Sequence, residues 1–174
     1  MSPIAHSGLG LLGWELVAAR KTWRTLALFV FAANFADVDF LFYFVFGPRP
    51  LFIHQYYTHN LLFALGTAGL FALALPKGRD RGGLILVGLS HLAADLIVID
   101  PVHPIGIRLF FPFSNRLFNF GLFPYLQRWP AGVVFSAKNL AVLMLEAVVF
   151  VLPVAVLFRK KFGTYVRSRE FWSS

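Results

Sequence analysis

The chain has 174 residues, of which 58% are hydrophobic and 21 are phenylalanine, with a net charge of +8 and no cysteine. So apolar a composition excludes a soluble domain of this length and predicts one membrane-embedded unit over residues 1–174, ending in a basic cytoplasmic tail at 159–174. The Lys and Arg flank apolar runs instead of covering a polar face. This excludes nucleic acid as a partner and assigns the charge to topology and anionic lipid. Without cysteine there is no disulfide, no thiolate zinc site and no thiol nucleophile, so His, Asp and Glu must hold any metal.

In chain order, residues 8–19 (GLGLLGWELVAA) are apolar but too short to span, and they predict a half-membrane helix ending at Arg20, Lys21 and Arg24. No basic stretch precedes this run, so a cleaved signal peptide is not expected and His6 stays in the mature protein. Residues 25–46 have the length of a span but carry Asn34, Asp37 and Asp39, and Gly47-Pro48 stops them. Residues 51–59 read as an aromatic interfacial approach and 60–75 as the inner part of a second span, followed by the polar turn PKGRDRGG at 76–83. A third span is expected over 84–99, stopping before Pro101, and a fourth over 138–158, containing Glu146 and Pro153. The fold class is therefore all-α, with about four transmembrane helices, an N-terminal half-helix and an interfacial aromatic segment.

Counting basic residues on the two sides orients the chain. Arg20, Lys21, Arg24, Lys77, Arg79, Arg81, Arg159, Lys160, Lys161, Arg167 and Arg169 share one side, against Arg49, Arg108, Arg116, Arg128 and Lys138 on the other. The richer side, with the C-terminus, is expected to be cytoplasmic.

The segment SHLAADLIVID (90–100) places His91 and Asp95 four residues apart, on one face of a helix, a spacing at which both side chains can hold one ion. A buried His–Asp hydrogen bond that only pins two helices is the alternative. Depth separates the two readings. At a helical rise of about 1.5 Å per residue from the nearest cytoplasmic charge, His6, Asp37, Asp95 and Glu146 all lie roughly 20 Å deep and His91 roughly 15 Å. His54 and His59 enter the same layer from the outer end of the second span. Structural polar residues have no reason to share a depth, so the coincidence favours a metal site in the outer half of the membrane. An unpaired ionisable group costs roughly 3 kcal/mol on insertion scales, and a well-made zinc site returns an apparent ~10 to 16 kcal/mol.

His6, Asp37, Asp39, His54, His59, His91 and Asp95 offer more ligands than one four-coordinate ion needs, so two or three divalent ions are expected: zinc first, with manganese or iron as alternatives. Asp37 and Asp39 point about 200° apart on an intact helix. Either the helix unwinds there, or one is a ligand and the other a supporting or catalytic carboxylate. His54 and His59 are a poor helical pair, so at least one belongs in a turn.

In this order AHSGLG, ADVDF, HQYYTH and SHLAAD, followed by PIGIRLFFPFS, resemble the bacterial family of small membrane-bound metal-dependent hydrolases known as YdjM-like, over roughly residues 5–115. The resemblance implies a multi-pass protein of the bacterial inner membrane and an activity similar to that of zinc-dependent phospholipase C. The sequence departs from the family pattern at Ala36, Gln55, Tyr56 and Asn60, and in a longer stretch after Asp95 that holds Asp100 and His103.

The expected function is hydrolysis of a phosphate ester in a lipid or lipid-linked substrate, with Asp39 or Asp37 as the catalytic base. Arg108 is the candidate phosphate clamp, Glu146 a candidate supporting carboxylate, and Glu15 a salt-bridge partner at the basic end. The rivals are a metal-dependent amide or ester hydrolase, which the lack of H-E-x-x-H disfavours, and a metal transporter or metal-stabilised scaffold, which lacks the expected repeat of broken helices.

Overall fold

The computed structural model describes residues 1–39, 45, 55, 57–99, 105–126, 135–159 and 161–172, and among them it is helical, without a named strand. Helix α1 is Pro3–Val17; Ser2 caps it, and Pro3 fits its first turn because no partner is needed for the missing N–H there. It starts earlier than the apolar run suggests and so carries His6 on its first turns. Ala18 is extended, and the connection 18–22 feeds α2, Trp23–Asn34, through a capping box between Thr22 and Thr25. From Asn34 the backbone tightens into a 3-10 turn, Phe35–Val38, that carries Asp37.

Helix α3 is Leu61–Ala72, capped by the Asn60 side chain accepting from the Phe63 N–H. Helix α4 is Arg79–Ile97 and absorbs most of the polar stretch expected as a turn. Asp80 sits in its first turn, where a carboxylate complements the helix dipole, and it also accepts from the Ala19 N–H. At the other end α4 stops at Ile97, two residues short of expectation, because the aromatic segment 105–126 docks there. Phe120 N–H donates to the Leu96 carbonyl, and Leu122 and Phe123 N–H to that of Ile97, each at 2.7 Å. Carbonyls left open at a helix end are thereby satisfied by a neighbouring segment.

Helix α5, Ala137–Arg159, is among the described residues the one helix long and apolar enough to cross a membrane. Leu140, Met144, Val148, Leu152 and Val156, spaced by four, are between 52% and 64% exposed and form its outward stripe, while Asn139, Glu146 and Val154 are buried on the inner face. A π turn, Ala147–Val151, lies just before Pro153, which removes an N–H that a regular helix would need. Of the other three expected spans, α2 and α3 are twelve residues each and α4 carries Arg79, Asp80, Arg81 and Asp95, so none qualifies by itself. Short helices α6, Phe162–Arg167, and α7, Arg169–Trp172, fold back so that Tyr165 and Phe171 meet Trp14 edge-on.

Two close approaches bring the site-bearing backbones together. A Cβ on Gly10 of α1 would lie 2.7 Å from Val30 Cα of α2, and one on Gly88 of α4 would lie 2.6 Å from Ala68 Cβ of α3. Small residues at helix crossings permit such contact, and here they let short Asp and His side chains of different helices meet. Trp14, Phe29, Leu84 and Val87 fill the core beneath, and Trp14 Nε1 donates to Thr25 Oγ1 at 2.8 Å.

Candidate metal centre

Four chain segments converge on one buried group: α1 brings His6, the 3-10 turn Asp37, the approach to α3 His59, and α4 both His91 and Asp95. His6, His59 and His91 are fully buried, and the Asp37 side chain is 11% exposed. One ligand atom from each of Asp37, His59, His91 and Asp95 lies within 4.8 Å of the other three.

The hydrogen bonds around this group fix which ring nitrogens face inward. His91 Nδ1 lies 2.7 Å from the Ala33 carbonyl. A carbonyl only accepts, so Nδ1 carries the hydrogen and a neutral His91 turns the Nε2 lone pair to the centre. The same holds for His59 through a relay. Thr58 Oγ1 donates to Asp39 Oδ2 at 2.8 Å and lies 2.9 Å from His59 Nδ1. Its one hydrogen is spent on the carboxylate, so the hydroxyl accepts from Nδ1–H and Nε2 of a neutral His59 is bare.

The two inward nitrogens are 3.2 Å apart. Asp95 Oδ2 is 3.1 Å from that of His59 and 3.2 Å from that of His91, and Asp37 Oδ1 is 3.3 and 3.7 Å from the same two atoms. Two imidazole nitrogens and two carboxylate oxygens thus converge from four side chains, a set of electron-pair donors that a cation at their centre would bind. The spacing suits one, because a tetrahedron with bonds of about 2.0 to 2.1 Å has edges of about 3.3 to 3.4 Å. The chemistry of the set, two imidazoles and two carboxylates, fits zinc and also manganese or iron.

His6 extends the group without joining the four atoms. Its ring stacks on His91 with centroids 3.8 Å apart, its Nε2 is 3.4 Å from Asp95 Oδ1 and 3.9 Å from Asp37 Oδ2, and neither ring nitrogen has a hydrogen-bond partner. Buried polar atoms left in this condition call for a ligand. The Met1 ammonium pairs with that same Asp95 Oδ1, so a cation already stands on this side.

The structure separates the two carboxylates of the Asp-x-Asp pair. Asp37 faces the centre, whereas Asp39, 1% exposed, stands behind His59 and holds it through Thr58. Glu146 is buried and accepts from the backbone N–H of Ser2 at 3.2 Å and from the Ser2 hydroxyl, so it anchors the residue that caps α1. Arg108 lies on the aromatic segment with Nη1 donating to Asn115 at 3.2 Å. Next to it, Leu109 accepts from the N–H of Leu61, two residues beyond His59. His54, Asp100, His103 and Arg128 lie outside the described residues. Sequence reasoning missed Thr58 and the Ala33 carbonyl; a hydroxyl immediately before a candidate ligand was the available signal for the first.

At the opposite end of α1, Glu15 is the predicted salt-bridge partner, with Lys161 Nζ at 2.8 Å, Lys21 Nζ at 3.8 Å and the Tyr165 hydroxyl at 3.3 Å. Burial lowers the pKa of Lys21, the hydrogen bond to Glu15 raises that of Lys161, and burial raises that of Tyr165.

Helical described residues, one helix apolar and long enough to cross a membrane and a buried His/Asp group able to hold a metal ion define a class: candidate membrane proteins with a candidate metal centre. Within that class the chain belongs to the YdjM inner membrane protein family, whose model matches residues 1–163. None of the curated proteins and none of the solved structures compared matches it.

Proposed function

We propose that this protein is a membrane-embedded metal-dependent hydrolase that cleaves a phosphate ester of a lipid or lipid-linked substrate. The observation that supports it best is the convergence of one ligand atom from each of Asp37, His59, His91 and Asp95 within 4.8 Å of one another, in a chain of an inner membrane protein family. These four would hold one divalent ion, and His6 Nε2, 3.4 Å from Asp95 Oδ1, offers a ligand atom for a second, which would take the place of the Met1 ammonium on that oxygen. When bound, such ions supply a water nucleophile at neutral pH and polarise a phosphoryl oxygen.

The chain's own groups divide the remaining work. Asp39 and Thr58 keep His59 in one tautomer, and the Ala33 carbonyl does so for His91. Asp37 Oδ2 is buried without a hydrogen-bond partner on the most exposed carboxylate of the group, which makes Asp37 rather than Asp39 the residue to take the proton of the attacking water. Arg108 would clamp the phosphate, if the substrate enters past the aromatic segment. The surrounding helices favour lateral entry from the bilayer, in a chain that crosses it about four times with its C-terminus in the cytoplasm. The likeness to zinc-dependent phospholipase C rests on the shared His/Asp chemistry.

Purified protein loaded with zinc or manganese and offered phosphatidic acid, phosphatidylglycerol and a polyprenyl phosphate in mixed micelles should release phosphate or a phosphorylated headgroup. Stoichiometric metal with no turnover on any phosphoester, together with metal flux in vesicles, would instead select the transporter reading.

A further inference from the structure

The basic end of α5 forms a second place of interest, remote from the His/Asp group. Arg159 closes the 23-residue apolar helix, and α6 begins three residues later and folds against Trp14. Between them lies a cleft of about 510 Å³ lined by Arg159, Gly163, Thr164, Arg167 and Ser168. Residues 163, 164, 167 and 168 are spaced by three and four, so α6 turns one face to it. No carboxylate lines it, and the nearby Glu15 is already engaged by Lys161 and Tyr165. Neither Arg159 nor Arg167 has an acceptor among the described residues. A Cβ on Gly163 would meet nothing within 4 Å, so no side chain covers the cleft there.

This is a fixed arrangement and not a loose basic tail. Tyr165 and Phe171 pack on Trp14, the Tyr165 hydroxyl donates to Glu15, and Trp172 Nε1 donates to the Val166 carbonyl at 2.8 Å. Because Arg159 ends the spanning helix, the cleft sits at the level where lipid headgroups begin. Two guanidiniums without an acceptor among the described residues, beside a hydroxyl and at that level, match the oxygens of a phosphate ester. We propose that the cleft between Arg159 and Arg167 binds the phosphate of an anionic phospholipid headgroup, as a site separate from the metal centre.

The test uses the full chain, purified in neutral detergent and offered equal amounts of phosphatidylglycerol and phosphatidylcholine, with bound lipid read by native mass spectrometry. The wild type should retain phosphatidylglycerol preferentially. Arg159→Gln and Arg167→Gln should each lower that retention about fivefold. Arg24→Gln, which removes a charge of α2 outside the cleft, should lower it less than about twofold. An unchanged thermal melting temperature in detergent will show that each variant is folded. Equal losses in all three variants, or no preference between the lipids, would overturn the proposal. Inorganic phosphate competing as well as phosphatidylglycerol would overturn the lipid as the source of the phosphate.

Discussion

Replacing Asp95 by Asn keeps the side chain's shape and removes one ligand charge, which makes it the sharpest single perturbation of the His/Asp group. Its Oδ2 lies 3.1 and 3.2 Å from the two inward imidazole nitrogens. An amide placed there can donate its N–H to one of them, so the metal-free protein should fold and melt like the wild type in chelator. The metal-bound protein should not behave like the wild type. A structural zinc site contributes an apparent ~10 to 16 kcal/mol, so one ligand in four is worth about 2.5 to 4 kcal/mol, or an affinity loss of about 10²- to 10³-fold. The assay is competition between the detergent-solubilised protein and a chromophoric zinc chelator, with thermal melts run with and without metal. The wild type should gain stability on zinc addition and the Asp95→Asn variant should gain little. Wild-type zinc affinity in Asp95→Asn would refute the reasoning and return this residue to the role of a helix pin.

Thr58→Val removes the hydroxyl between His59 and Asp39 while keeping its volume; metal affinity should fall 10- to 100-fold in the same competition assay, short of the loss from a ligand. His6→Ala should lower the metal content from two ions per chain to one by elemental analysis, since the four-atom group is complete without it. Glu15→Gln should leave metal content intact but loosen α6 and α7, seen as faster hydrogen exchange over 162–172. Raising the pH should act in the same direction. The pKa of Lys161 is held above its ordinary 10.5 by its hydrogen bond to Glu15, so that contribution is present at lower pH and is lost as pH rises through the raised value. Tyr165, raised by burial above 10.0, also disfavours the docked state once an unfolded tyrosine would ionise.

The gathering of the site was legible because the polar residues of separate helices lie at similar heights from their basic ends. A constant rise per residue turns sequence distance into depth, and His6, Asp37, His59, His91 and Asp95 do meet. Which of Asp37 and Asp39 faces the centre and which supports it was not legible. A two-residue spacing reads one way on an α-helix, and the 3-10 turn at Phe35–Val38 sets the two side chains differently. The start of α4 was missed because Arg79, Asp80 and Arg81 read as a turn by polarity, while Asp80 serves as the favourable first-turn acid. The aromatic segment reads as a membrane anchor from its Phe content. Its backbone donors to Leu96 and Ile97, which close α4 just beyond Asp95, leave no mark in side-chain chemistry.

The most direct measurement is the metal content of protein purified without chelator, taken with X-ray absorption at the edge of whatever metal it holds. At least one transition-metal ion per chain should be found, coordinated by imidazole nitrogen and carboxylate oxygen at about 2.0 to 2.2 Å, and lost from an Asp37→Ala, His91→Ala double variant. A folded wild-type protein that arrives metal-free, and takes up neither zinc, manganese nor iron when each is supplied, would contradict the assignment of Asp37, His59, His91 and Asp95 as a metal centre.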